Sequence, residues 1–214
     1  MTRGRFIAFE GGEGVGKSTQ ARLLADALRE RGLRVAVTRE PGGTSGAEAI
    51  RKLLLAPPGE GWGPRAEALL FAAARSDHVS RLIRPALDGG EWVVCDRFLD
   101  SSRAYQGVAL DLGDEAIMDL HRIGSEELLP DLVLVLQASP EQVARRLNAR
   151  DGNASDAIGG RDATYHAKVD AAFAGFAQSD PGRYALIDGT GTIEQVHARV
   201  MHAVTPLLQR SERC

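Results

Sequence analysis

Residues 9 to 20 read Phe-Glu-Gly-Gly-Glu-Gly-Val-Gly-Lys-Ser-Thr-Gln and contain a complete G-x-x-x-x-G-K-[ST] pattern. Glycines at Gly11, Gly12, Gly14 and Gly16 keep side chains out of the way, so successive backbone N–H groups can curl around a phosphate. Lys17 places a cation where β- and γ-phosphates would lie, and the Ser18 hydroxyl is a Mg²⁺ ligand type. The segment from Gly11 through Glu13 and Val15 to Thr19 therefore reads as a nucleoside triphosphate loop. Only three lysines occur, at 17, 52 and 168, and one stands where the pattern requires it.

Phosphoryl transfer needs positioning, charge neutralisation and exclusion of water more than covalent chemistry. Asp96 ends an apolar run and is the natural carboxylate to share a metal with Ser18, and Arg97 follows directly. Arg39-Glu40-Pro41-Gly42-Gly43-Thr44 follows another apolar run. Phe71 and Arg75 are four apart on an expected helix, so a ring and a forked donor share a face and can read a base. Taken alone, that ring suits a core and that arginine a solvated surface. The carboxylate motifs of ATPase motors and the N-K-x-D of GTPase switches are absent.

These residues need a scaffold that brings strand ends together. Apolar runs at 5–9, 33–38, 92–95, 132–136 and 184–187 read as strands, and helical patterns follow the loop and fill 47–55, 65 to about 87, the stretch after Ser139-Pro140-Glu141-Gln142, and the stretch after Thr192. The last helix is expected to bury Ile193, Val196, Val200 and Val204 on one face. Alternating strands and helices predict an α/β three-layer sandwich of the P-loop NTPase type, with a five-stranded parallel sheet and ligands beyond the strands' carboxyl ends. The 214 residues suit one domain, 1–214, with a mobile insert. That insert is the polar, glycine-rich stretch within about 146–163, which is flanked by arginines and reads as a closing lid or a solvated loop. A net charge of -3 gives no reason to expect a nucleic-acid polymer as partner. No apolar run is long enough to span a membrane, and Cys95 and Cys214 form no metal or disulfide spacing, so a cytoplasmic setting is the expectation. None of the five histidines has ligand spacing.

In order and spacing, the loop, Arg-Glu-Pro-Gly-Gly-Thr, Phe-x-x-x-Arg, Asp-Arg-x-x-x-Ser-Ser and Ala-Tyr-Gln-Gly together resemble the thymidylate kinases, from about Phe6 to the final helix. The resemblance implies transfer from ATP to dTMP with Mg²⁺, and usually a homodimer. It implies that Glu13 contacts the acceptor sugar, Arg39 and Arg97 hold the acceptor phosphate, and Phe71 stacks on thymine while Arg75 hydrogen-bonds it. Ser101, Ser102, Tyr105 and Gln106 would line the thymidine pocket. The family takes its transition-state arginine from the loop or from the lid, and this loop has none. Arg150 and Arg161 are then the first candidates, with Arg146 behind them, although Gly159-Gly160-Arg161-Asp162 departs from the family's lid pattern. Another nucleoside monophosphate or deoxynucleoside kinase, or a regulatory P-loop NTPase, are the alternatives.

Overall fold

The computed structural model describes residues 3–151 and 157–211, without the side chains of 140, 148–151 and 211. The Arg150 side chain, residues 152–156 of the expected lid, and Cys214 lie outside the described residues. Strands β1 (Phe6–Glu10), β2 (Val35–Arg39), β3 (Trp92–Asp96), β4 (Leu132–Gln137) and β5 (Tyr184–Asp188) form one parallel sheet in the order β2-β3-β1-β4-β5. β1 is central because every residue in it is buried, as a strand covered on both faces requires. Pairing aligns Phe9 and Arg39 with Asp96, and Glu10 with Val135, so the charged ends of three strands meet at one rim.

The helices are α1 (Lys17–Glu30), α2 (Ser45–Leu55), α3 (Pro64–His78), α4 (Arg84–Asp88), α5 (Leu99–Ser102), α6 (Asp114–Ser125), α7 (Pro140–Asp151), α8 (Ala163–Ser179) and α9 (Ile193–Ser211). Alternation along β1 divides the core. Ile7 and Phe9 pack with Leu24, Leu28, Val200 and Val204 of α1 and α9. Phe6 and Ala8 face the other way, against Ile83, Leu87, Phe98 and Ile117. A third cluster, with Tyr105, Val133, Val135, Tyr165, Val169 and Phe173, seats α8 beside the sheet.

Two expectations are revised. The helix expected to run unbroken to Leu87 changes to a π-helical turn at Val79–Ile83, where the Arg84 N–H bonds Val79 O five residues back. Pro85 supplies no amide for the α-helical ladder, and a local slip of one residue accommodates that. Ile193 is 54% exposed while Val196, Val200 and Val204 are buried, because it sits at the first turn of α9 beside the cavity described next. Helices α6 and α8 were assigned no span from the sequence. At the start of α9, Thr192 and Gln195 bond each other's backbone N–H at 3.3 and 2.9 Å, a reciprocal capping box.

Candidate active site

β1 delivers the chain into the glycine loop, and α1 begins at Lys17. Gly11 has φ +127°, and a Cβ there would lie 2.3 Å from Leu136 O, so neither the backbone nor the neighbouring strand admits a side chain. Lys17 folds back and donates to the carbonyl oxygens of Gly11, at 3.1 Å, and Gly12. Burial, followed by the Arg97 charge, pushes its ammonium down to about 7. An anion placed at the loop opposes both causes.

The Ser18 hydroxyl donates to Asp96 Oδ2, which joins the first turn of α1 to the end of β3. Asp96 Oδ1 is buried and has no hydrogen-bond partner among the described residues. A hydroxyl and a carboxylate with one unspent buried oxygen form a hard oxygen donor set that fits Mg²⁺. No cluster of three or more His, Cys, Asp or Glu suited to a metal occurs among the described residues, so any further ligands would be water and phosphate.

Arg97 takes a left-handed backbone, φ +70°. Its guanidinium donates to Gly11 O and Ser101 Oγ, both at 3.1 Å, and lies 5.1 Å from the Tyr105 ring centroid. Beneath it is Glu10, which the sequence reading assigned no role. Its carboxylate accepts from Phe98 N–H at 2.8 Å, Ser101 N–H at 3.0 Å and Ser101 Oγ–H at 2.7 Å. Complete burial, then the charge of Asp100, raises it to about 7, against the pull of Arg97 and these donors. Glu10 thus fixes the turn that carries Ser101.

One cavity of about 710 Å³ joins these groups. Its wall includes Glu13, Gly14, Val15, Gly16, Lys17, Ser18 and Thr19, then Asp96 and Arg97, and across from them Arg39, Arg51, Phe71, Ser101, Tyr105 and Gln106. Gly11 and Gly12 sit behind this wall. So do Arg75 and Ser102, which were expected in the pocket itself. Arg75 is 3% exposed; it donates from Nε to Glu40 at 2.8 Å and from one terminal nitrogen to Ser102 Oγ at 2.8 Å and Phe98 O at 3.2 Å. Glu40 also meets His78 Nδ1 at 3.1 Å, and His78 Nε2 lies 2.7 Å from Thr38 Oγ1. This chain of buried polar groups also accounts for the second glycine of the Pro-Gly-Gly run, since a Cβ on Gly43 would come within 2.6 Å of the His78 ring. His78 was given no role from the sequence, and neither was Glu40 beyond its motif.

Of the arginines expected at the lid, Arg146 lines the cavity and donates to Val15 O at 3.0 Å and Gly189 O at 2.9 Å. Arg161 is not on the wall; it is held by Glu67 and by the Tyr165 hydroxyl. Ile158, within the same segment, does line the cavity. Asp170 of α8 is a further group missed in the sequence: its Oδ1 would lie 2.5 Å from a Cβ on Gly12, so it packs directly on the loop.

A phosphate loop facing a second, cationic and aromatic wall across one cavity is the arrangement of a kinase for a small phosphorylated acceptor. A family model described as thymidylate kinase matches residues 9–200. The chain belongs to the thymidylate kinase family. The thymidylate kinase of Rhizorhabdus wittichii is 56% identical over 206 residues, covering 96% of this chain and 99% of that one. The thymidylate kinase of Bradyrhizobium sp. strain ORS 278 is 47% identical over 203 residues, covering 94% and 90%. Among solved structures, the thymidylate kinase of Ehrlichia chaffeensis superposes with a TM-score of 0.74 at 29% identity, over 94% of this chain and 99% of that one. The thymidylate kinase fold therefore extends over nearly the whole chain.

Proposed function

We propose that this chain transfers the γ-phosphoryl group of ATP to dTMP, giving dTDP and ADP. The observation that carries this reading is the single cavity with the Lys17 loop on one wall and Arg39, Arg97, Phe71, Tyr105 and Gln106 on another. In the transfer, an acceptor phosphate oxygen bonds to the γ-phosphorus while its bond to the bridging oxygen breaks, and ADP carries away the electron pair. The loop amides and Lys17 hold the donor phosphates, and Arg97, fixed between Gly11 O and Ser101, lies where the acceptor phosphate must approach. Arg39, exposed and paired with Glu48 among the described residues, is a second ligand for that phosphate. Glu13 on the same wall faces the acceptor sugar. Ser18 and Asp96 would hold Mg²⁺, which would neutralise charge on the phosphates during transfer. Phe71 stacks on the base. Arg75 stays behind the wall, and its terminal nitrogen not spent on Phe98 and Ser102 is the group proposed to hydrogen-bond the base. Ile193, Val196 and the flat guanidinium of Arg146 form a further part of the wall, which suits the donor's purine.

Several parts of this reading go beyond the family assignment. They are a single domain over 1–214, a lid at about 146–163 carried by Arg146 and Ile158, Arg150 as a candidate for the transition-state cation, and a cytoplasmic setting. No described helix is long and apolar enough to cross a membrane. A homodimer is supported by exposed Leu53, Leu69 and Ile123, which lie on the adjoining helices α2, α3 and α6. Coupled ADP release with a panel of monophosphates tests the function. dTMP should stimulate turnover well above dUMP, dCMP, dGMP and AMP; turnover that ignores every acceptor would point to a regulatory NTPase.

A further inference from the structure

Glu67 stands in the first turn of α3, one turn before Phe71 and two before Arg75, on the stripe that faces the acceptor wall. It is 5% exposed, and both of its oxygens are used. Oε1 accepts from Gln106 Nε2 at 2.8 Å, and Oε2 accepts from Arg161. The other terminal nitrogen of Arg161 donates to the Tyr165 hydroxyl, which donates in turn to Tyr105 O at 3.3 Å, and the Arg161 guanidinium carbon lies 4.7 Å from the Tyr165 ring centroid. The same segment touches the acceptor wall elsewhere: the Ala157 N–H bonds Leu55 O at 3.4 Å, and Ile158 lines the cavity beside Leu55 and Phe71.

An ionised carboxylate only accepts, so Gln106 must give Glu67 its amide NH₂. The Gln106 carbonyl oxygen is then left buried and without a partner among the described residues, an acceptor held ready in the pocket. Removing Arg161 would leave the buried carboxylate with one neutral donor, which is costly. Each half of this network therefore holds the other in place.

We propose that Glu67 is a positioning residue that fixes the Gln106 amide and latches Arg161, and with it residues 157–165, across the acceptor pocket. Arg161 thus serves acceptor binding and not the transition state. The proposal rests on the dTMP kinase reading for its kinetic arm only.

The test uses the full chain with Glu67→Gln, Arg161→Met, Arg161→Lys and the double variant Glu67→Gln/Arg161→Met. Two readouts are taken: kcat and KM for dTMP, and hydrogen exchange of peptides covering 157–165 in the ligand-free protein. Loss of one charge-assisted hydrogen bond should raise KM for dTMP about tenfold in each of Glu67→Gln and Arg161→Met, with kcat within about threefold. The double variant should be no worse than either single one, since the two act as one unit. Exchange in 157–165 should speed up in both, and Arg161→Lys should fall between wild type and Arg161→Met. The latch is overturned if Arg161→Met lowers kcat by about a hundredfold or more while Glu67→Gln leaves it unchanged, the mark of a phosphate-facing arginine. It is equally overturned if the two KM effects multiply, or if exchange in 157–165 is unmoved. Should the Glu67 variant fail to fold, the kcat-against-KM split of Arg161→Met decides alone. A wild type that ignores dTMP defeats the kinase reading, and the exchange arm still tests the latch.

Discussion

Replacing Arg75 separates recognition from scaffolding, because the structure makes this residue part of both. Its Nε lies 2.8 Å from Glu40 Oε2, and the two side chains are 3% and 4% exposed. Arg75→Met keeps most of the buried stem and removes the charge, leaving the Glu40 carboxylate with His78 as its side-chain partner among the described residues. Breaking a buried pair from one side costs about 3–5 kcal/mol. For a chain of this size, that corresponds to a fall of about 10 °C in melting temperature, at roughly 2–4 °C per kcal/mol. The double variant Glu40→Gln/Arg75→Met removes both charges, so it should recover about half or more of that loss. Thermal melts followed by circular dichroism give both values, and KM for dTMP measured below the melt gives the recognition component. If Arg75→Met melts within about 2 °C of wild type, the buried pair is not what holds α3 to β2 and β3, and the reasoning fails. If the double variant is less stable than Arg75→Met, the unpaired carboxylate is not the source of the loss.

Three further outcomes follow from the site. The Lys17 ammonium lies at about 7 in the free protein and is restored to its charged form by polyphosphate, so binding of a non-hydrolysable ATP analogue near pH 8 should take up protons; calorimetry in buffers of different ionisation enthalpy would show this, and a buffer-independent heat would contradict it. Glu10 is raised from 4.5 to about 7, so the folded state binds more protons than the unfolded one between those values. Its contribution to stability is complete below about 4.5 and is lost as pH rises through about 7; Glu10→Gln should flatten that part of the stability profile, and an unchanged slope in urea titrations at several pH values would refute it. Asp96→Ala should raise the Mg²⁺ concentration for half-maximal turnover about tenfold or more, by loss of a hard oxygen ligand; an unchanged Mg²⁺ dependence would remove Asp96 from the metal site.

Much of the site was legible because its motifs are local. Gly11 to Thr19 is one continuous stretch, and Asp96 lies on the cavity wall, where strand polarity puts the end of an apolar run. The five strands were legible from their apolar runs, with ends shifted by a residue or two. Residues whose role depends on a distant partner were not. Glu10 reads as part of the Phe-Glu-Gly motif and gives no hint that it is fully buried under Phe98 and Ser101. Glu67 had one available signal, its spacing of four and eight from Phe71 and Arg75, but helical spacing does not say what faces the stripe. Arg161 looked like a lid cation because the sequence shows its charge and omits its partner, 94 positions away.

The sequence by itself determined the phosphate-loop pattern and the parallel α/β order, since these depend on neighbouring residues and on hydrophobic period. Only the tertiary structure decided which polar groups share a proton or a charge. It put Ser18 on Asp96, Arg75 on Glu40, Gln106 and Arg161 on one carboxylate, and Lys17 where burial drives its charge down. Hydrophobic pattern specifies which face of an element is buried. The partner that a buried charge meets there is set by how elements from distant parts of the chain pack together, and the low polarity of that packed interior makes each pairing count.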